Sequence, residues 1–302
     1  MKFIKTLVFL LFVSFGVRSV SAQEPRIVEI RQAGSFAKDE AQYPGAHILL
    51  TKGSTRVHLF HKGALVISDK SFFYSKKNFF EAAGEVVFTQ GDTLRMTSDY
   101  LEYDGANGQA KAWGNVFLKQ PDMTLETDTL YLDRNENIAY YDTPGTVIDS
   151  SSVLKSNRGK YFMNEKKYRF ISNVRITNPE YNVTSAQLDY FTETNKAFLY
   201  GPTKIIGEDY DIYCEREFYN LDTQQGNFKE NALINYNEKI IKGDSLYFEN
   251  EREYAAATND VSITDTINNS IIRGNYAEIF KAKDSAIITR RAYAINVLEK
   301  DS

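Results

Sequence analysis

The chain carries one cysteine, Cys214, in 302 residues. A lone cysteine excludes an internal disulfide, and with it the small secreted scaffolds that disulfides hold together. Cys214 falls where other stretches place Ser68, Thr97 and Gly243, so it reads as a small packed residue and not as a nucleophile. Proline is scarce, at 6 residues, which leaves few interruptions of extended backbone. Positive charge is not in excess: the net charge is −4. A nucleic-acid binder shows a basic footprint, so no nucleic acid is expected as partner. The only histidines are His47, His58 and His61. His58 and His61 stand three apart, which puts them on opposite faces of a strand. Neither a zinc site nor a Ser-His-Asp arrangement follows from them. Helical spacing is sustained nowhere beyond the N-terminus, and no later run approaches the ~18 apolar residues of a membrane-spanning helix.

What is present is aromatic and extended. Phe and Tyr number 20 each, the charged fraction is 25%, and both figures suit strands around a core better than disorder. The N-terminus reads as a secretory signal over residues 1–22: Lys2 and Lys5, an apolar run from Leu7 to Val17, then Val20-Ser21-Ala22 as a small-residue cleavage site. Gln23 follows where a lipid-anchored chain would have cysteine. Residues 23–45 form a lead-in, with a short strand at Arg26–Ile30 and a loop from Gln32 to Gly45. Residues 46–302 read as a repeat domain with no visible linker, either one continuous body or two halves.

The repeat is clearest at Asp92 to Leu118: an extended stretch, the turn Gly105-Ala-Asn-Gly108, and a second stretch with Gly114-Asn115-Val116. One column precedes the turns: Tyr74, Tyr103, Leu132, Tyr161, Tyr190, Asn220, Phe248 and Ile279. Another follows the Gly-Asn pair: Val86, Val116, Val147, Val174, Thr203, Ala232 and Val261. Both advance by about 29 residues. Repeats of this length are built from one supersecondary unit each. Short turns rich in Gly, Asn and Asp join them, which predicts an antiparallel meander of about eight strand–turn–strand units.

Spacing within each strand predicts a bend. Residues on one face of a strand stand an even number apart. Here apolar pairs stand five apart: Ile67 and Phe72, Met96 and Leu101, Leu125 and Leu130, Val183 and Leu188, Ile241 and Leu246. Each strand must change phase midway, at Ser68-Asp69, Thr97-Ser98-Asp99, Thr127-Asp128 or Gly243-Asp244. A bulge or corner there returns both halves to one apolar interior. The expected fold is all-β: an elongated, V-shaped two-sheet jellyroll. The recurring Asp69, Asp99, Asp128 and Asp244 read as caps of backbone groups at the bulge, not as a catalytic ladder.

The Gly-Asn-Val tag after Ala110-Lys-Ala112, and Thr97 to Asp104 before the turn, resemble the OstA-like or LptA-type family of lipopolysaccharide-transport proteins. Glu126 to Asp133 and Gly63 to Tyr74 with Glu81 to Val86 carry the same pattern, and the resemblance runs over about residues 46 to 297. The same repeat is found in the periplasmic part of LptD. The resemblance implies a periplasmic jellyroll, at or near the outer membrane, whose open groove shields the acyl chains of lipopolysaccharide or a related envelope lipid. It implies edge-strand pairing with other jellyroll proteins of a transport bridge, and head-to-tail self-association as a further mode. The residues themselves show no clustered acids with a basic partner, so no enzyme activity, cofactor or metal is expected.

On that reading the apolar columns are the working parts. They are Met96, Leu101, Leu125, Leu130, Val183, Leu188 and Leu246 beside the phase changes. Phe72, Tyr74, Tyr103, Leu132, Tyr190 and Phe248 precede the turns, and Val116 and Val174 follow the Gly-Asn pair. Each buried methylene of a bound chain contributes about 0.8 kcal/mol, so no polar chemistry is required. The competing readings are a secreted structural β-repeat protein, in which these residues fill a closed core, and a carbohydrate-active parallel β-helix. Edge strands near Ile48–Phe60 and Ala286–Val297 are the expected docking edges.

Overall fold

The computed structural model describes residues 27–296, apart from 209, 237, 250 and 284. The expected signal segment and cleavage site lie outside the described residues, as do Arg26, Asn250, Asp284 and Val297. Among the described residues stand 24 strands and two 3-10 turns, with no α-helix. No helix there is long and apolar enough to cross a membrane. Neighbouring long strands pair antiparallel from Phe79–Gln90 with Leu94–Asp104 onwards, as a meander of hairpins does. Such pairing sets aside the parallel β-helix.

Two local devices repeat with the sequence period. The first is the turn. Asp104 accepts the N–H groups of Ala106 and Asn107 at 2.9 and 3.0 Å, and Asp133 and Asp265 hold their turns in the same way. Backbone N–H donors, Asn107 foremost, hold the Asp104 carboxyl below its ordinary range. A residue with positive φ then closes each turn: Asn78, Gly108, Asn137, Lys166, Asn195, Gln224 and Glu253. Successive members differ by 30 residues once and by 29 thereafter, by subtraction. The carbonyls of the first five accept from the next turn, as Asn78 does from the Gly105 N–H at 2.8 Å and Asn195 from the Leu221 N–H at 2.9 Å. Neighbouring hairpins are thereby held in register at their tips.

The second device is the corner. Between Ala83↔Tyr100 and Val86↔Ser98, two residues, Gly84 and Glu85, oppose one, Asp99. The same shift recurs at Gly114-Asn115, Ser172-Asn173, Gly201-Pro202, Glu230-Asn231 and Asn259-Asp260. Burial changes phase there, from Met96 and Ser98 to Leu101. The expected bend is therefore present, but the extra residue sits on the partner strand. The Gly-Asn of the tag is the bulge itself, with both residues at positive φ: +74° at Gly114 and +51° at Asn115. Asp99 does not cap backbone groups; it accepts from the Asn115 side chain at 2.8 Å, and Asp69 accepts from Arg56 at 3.0 Å. A buried small residue stands at each bend, namely Ser68, Ser98, Thr127, Ser156, Ser185, Cys214 and Gly243. Ser98, not Thr97, is the member of this column. Its hydroxyl donates to the Tyr100 carbonyl at 2.9 Å, across the point where the ladder is interrupted.

The described chain divides into two compact units. An N-terminal unit holds residues 27–150 and 157–165; a C-terminal unit holds 151–156 and 166–296. In the N-terminal unit the lead-in is a lid of strands. Glu29–Gln32 pairs with Val57–His61, and Ser35–Ala37 pairs with His47–Leu50, so the expected loop from Gln32 contains a strand. Val28, Leu49 and Val57 are buried beneath it in a core with Phe73, Phe80, Met96 and Val116. In the C-terminal unit strands from Lys167–Asn178 to Ser270–Phe280 pair in sequence order, Ser285–Thr289 and Tyr293–Asn296 both pair with Ser270–Phe280, and Ile272, Ile287 and Tyr293 are exposed near this last edge.

A β-carbon on Gly114 would lie 2.7 Å from Asp99 Oδ2, whereas one on Gly53, also at positive φ, would meet nothing within 4 Å. Gly53→Ala carries only the left-handed backbone cost of about 1 kcal/mol. Gly114→Ala must also displace the corner carboxylate, for a total loss of about 2–3 kcal/mol. Urea unfolding of the two variants beside the wild type measures the difference. Equal midpoints would mean that the corner tolerates a side chain and does not set the bend.

Candidate functional site: an apolar interior with one buried acid

Register and corner together assemble continuous rows on the interior face. In the N-terminal unit one arm of the bent strands carries Leu59, Val66, Phe88, Met96, Leu118, Leu125 and Val147, cross-strand partners in that order. The other arm carries Phe73, Phe80, Tyr103, Ala110, Leu132, Ala139 and Tyr161. Both arms line one small open cleft with a cavity volume of about 40 Å³. Leu59, Val66 and Phe88 approach it from one side, and Phe80, Leu101 and Leu132 from the other. The small Ala110 stands between Tyr103 and Leu132 on the second arm and lines the cleft, whereas Ala82 and Ala112 are packed in the core. The rim is polar: Gln90, Arg134, and His61, whose Nδ1 lies 2.7 Å from the Tyr103 hydroxyl.

The residues expected to line a groove are distributed unevenly. Leu101, Tyr103 and Leu132 meet at this cleft. Met96 and Val116 are buried in the core under the lead-in, as part of a closed cluster. Leu125 and Leu130 stand on the same rows as Met96 and Leu101. Phe72 and Tyr74 are off the interior face: burial alternates through Ser71 and Phe73, and Phe72 packs instead on Tyr43 at 4.4 Å. The first unit is shifted by one, so Val66 and Phe73, not Ile67 and Phe72 or Tyr74, match Met96 and Tyr103. Tyr219, not Asn220, likewise holds the column before its turn. Val147 is displaced too; Gly145 faces Thr127 where Val116 does. The Tyr141 ring occupies that place, since a β-carbon on Gly145 or Gly159 would run into it at 2.6 or 2.4 Å.

In the C-terminal unit Val174, Val183, Leu188, Tyr190 and Leu246 are buried and Phe248 half-buried. One arm carries an aliphatic row, Ile176, Val183, Ile205, Ile212, Ile234, Ile241, Ile263 and Ile272. Val183 and Ile205 are buried, Ile212 through Ile263 half-buried, and Ile272 is 40% exposed, so cover is lost along the row. The opposite arm carries Tyr168, Tyr190, Tyr219 and Phe248, packed in one cluster. The outer face bears aromatics that the interior columns did not reveal, with Tyr100 on Trp113 at 5.3 Å and Phe198 on Phe218 at 5.1 Å.

A profile described as OstA-like protein matches residues 26–186, more than half of the chain. The chain belongs to the OstA-like protein family. No curated protein matches it. Among solved structures it is similar to LptH of Pseudomonas aeruginosa, described as the LptA-homologous periplasmic component of the lipopolysaccharide transport device. That alignment has 18% identity, covers 45% of this chain and 82% of LptH, and gives a TM-score of 0.22. Apo AztD from Citrobacter koseri aligns at 9% identity over 86% of this chain and 88% of its own, with a TM-score of 0.15. At such scores neither superposition carries an argument; family membership rests on the profile.

Within this OstA-like interior one residue breaks the pattern. Three positions after the bends stand Ser71, Leu101, Leu130, Gly159, Leu188 and Leu246, none of them ionisable; in the strand Tyr210–Asn220 the place belongs to Glu217. It sits between Leu199 and Phe228 on neighbouring strands, is 5% exposed, and its Oε2 has no hydrogen-bond partner. Burial pushes its carboxyl up to about 8. The interior columns contained this signal, since an acid at the leucine position is visible once the strands are aligned on the bend. Cys214, at the bend of the same strand, has its thiol pushed up to about 12, first by burial and then by Glu217, which leaves it inert.

The linkage sign follows from a folded value above the unfolded one of 4.5. The folded state binds the extra proton between about pH 4.5 and about pH 8, so stability is lost as pH rises through that window. Denaturant unfolding at pH 5, 7 and 9 should show a decline of ~2–4 kcal/mol in the wild type. Glu217→Leu should flatten the decline and be the more stable protein at pH 9. A wild-type profile without a fall between pH 5 and 9 would contradict a protonated Glu217.

Proposed function

We propose that this OstA-like protein is a periplasmic lipid carrier that shields the acyl chains of lipopolysaccharide, or a related envelope lipid, inside its bent sheets. The observation that carries the reading is an apolar interior that is incompletely filled: the cleft between Phe88 and Leu132, and the isoleucine row that passes from buried to exposed. A protein that used these rows only as a core would bury them throughout, as it does beneath the lead-in at Leu49 and Val57. Family membership and the sequence of an export signal support the periplasm as its location. Transport partners would add to the last edge near Tyr293–Asn296 by strand pairing, where exposed Ile287 and Tyr293 offer side-chain contacts. Head-to-tail copies of this chain could use the same edge.

Photo-crosslinking in cells discriminates the lipid carrier from a structural β-repeat protein. A benzophenone side chain at Leu132, Ile234 or Ile241 should capture lipopolysaccharide, while one at Tyr100, 46% exposed on the outer face, should not. Capture at Tyr100 alone, or at none of the four, would remove the carrier reading.

A further inference from the structure

The polar surroundings of Glu217 define a second kind of site inside the C-terminal unit. Tyr210 and Glu217 are seven residues apart, which would separate them by about 23 Å on a straight strand. The corner at Cys214 folds the strand between them. Tyr210 is thereby brought within electrostatic reach of both Glu217 and Tyr219, each of which raises or is raised by its neighbours. The Tyr210 hydroxyl is pushed up to about 12, by burial first and then by Glu180 and Glu217, and it too is buried without a hydrogen-bond partner. Among the described residues the Glu217 carboxyl acts on Cys214, Tyr210 and Tyr219, and Glu180 acts on Tyr210, and all five are acids. Leu199 and Phe228 flank the carboxyl on the adjoining strands, and half-buried Ile212 and Ile234 adjoin Tyr210's end of the strand.

A buried carboxyl with no partner is unfavourable, and leucine or a small uncharged residue serves the same position elsewhere in the fold. Stability does not explain the acid. We propose that Glu217 and Tyr210 form a station for a protonated amine carried on an otherwise apolar ligand, an alkylammonium amphiphile. The inference rests on the apolar-interior reading above and adds a specificity element to it. The ammonium brings a positive charge to these acids, and Phe228, which faces Glu217 on the next strand, adds an aromatic ring. The carboxylate pairs with the R–NH3+ group; below about pH 8 the carboxyl first gives its proton to solvent, so that binding there releases a proton. An alcohol of the same chain length gains only a hydrogen bond and releases no proton.

Displacement of a fluorescent apolar dye from the full mature chain tests this with two probes, dodecylammonium and dodecanol, each below its micelle concentration. At pH 9 the wild type should bind the amine roughly tenfold to a hundredfold more tightly than the alcohol. Because binding requires the ionised carboxyl, that ratio should shrink as pH is lowered through about 8. In Glu217→Gln and Glu217→Leu it should fall to near one at both pH values, and Tyr210→Phe should lower it in part. If dodecanol displaces the dye and the amine binds no better, the ammonium station is wrong while the apolar interior stands. If neither probe displaces it, both fail. The wild-type pH profile alone is decisive even if a variant does not fold.

Discussion

A pleated strand presents alternate residues to opposite faces, and a strand of eleven residues therefore serves one interior only if something interrupts the alternation. Here the interruption is a two-for-one bulge at a fixed place in each hairpin, and the rest of the structure depends on it. Without the bulge, Met96 and Leu101 would face opposite sides, and one arm of each strand would present its apolar row to water. With it, both arms line the same space, and residues as far apart in sequence as Val66 and Leu132 meet at one cleft. Positive φ at consecutive residues is unfavourable by about 1–2 kcal/mol each for a non-glycine side chain. Asn recurs there because it tolerates that conformation best after glycine, and at Asn115 and Asn231 its amide also bonds a neighbouring carboxylate.

The turns do complementary work. An Asp or Asn at the strand end fixes the local backbone, and a left-handed residue aims its carbonyl at the next turn. Where neighbouring turns are tied in this way, a corner on one hairpin stands beside the corner on the next, and within each unit the interior rows run on across the strands. Alternation of large and small residues along a row then decides whether it closes. Beneath the lead-in, valine and leucine from extra strands fill the space. Where Ala110 lines the interior, a cleft remains.

Much of this was legible in the sequence, and the misses have definite causes. Period, antiparallel pairing and the phase change followed from spacing alone, because each depends on counting and not on packing. The side of the bulge did not: the odd spacing appears on the strand opposite the extra residue, so the strand that shows the symptom is not the one that bends the ladder. Phe72 and Tyr74 were misplaced because Phe73 lies between them, and a run of three aromatics carries no alternation to set its phase. Val147 was misplaced because Tyr141 reaches in from a neighbouring strand over Gly145 and Gly159, a contact no single column contains. Ser35–Ala37 was missed because three residues are too few for a pattern.

A repeat also supplies its own reference state. Each interior position is sampled several times by the same fold, so a departure from the column separates what folding needs from what it does not. Ser98 replaced by cysteine at 214 keeps size and burial, and asks for no further explanation. Glu217, where the other strands carry leucine, serine or glycine, keeps burial but introduces an unpaired acid that none of them has. The two substitutions lie three residues apart on one strand, in the same packing environment. Their contrast isolates the carboxyl as the feature that the fold itself does not require, and that is where a ligand's chemistry has room to enter.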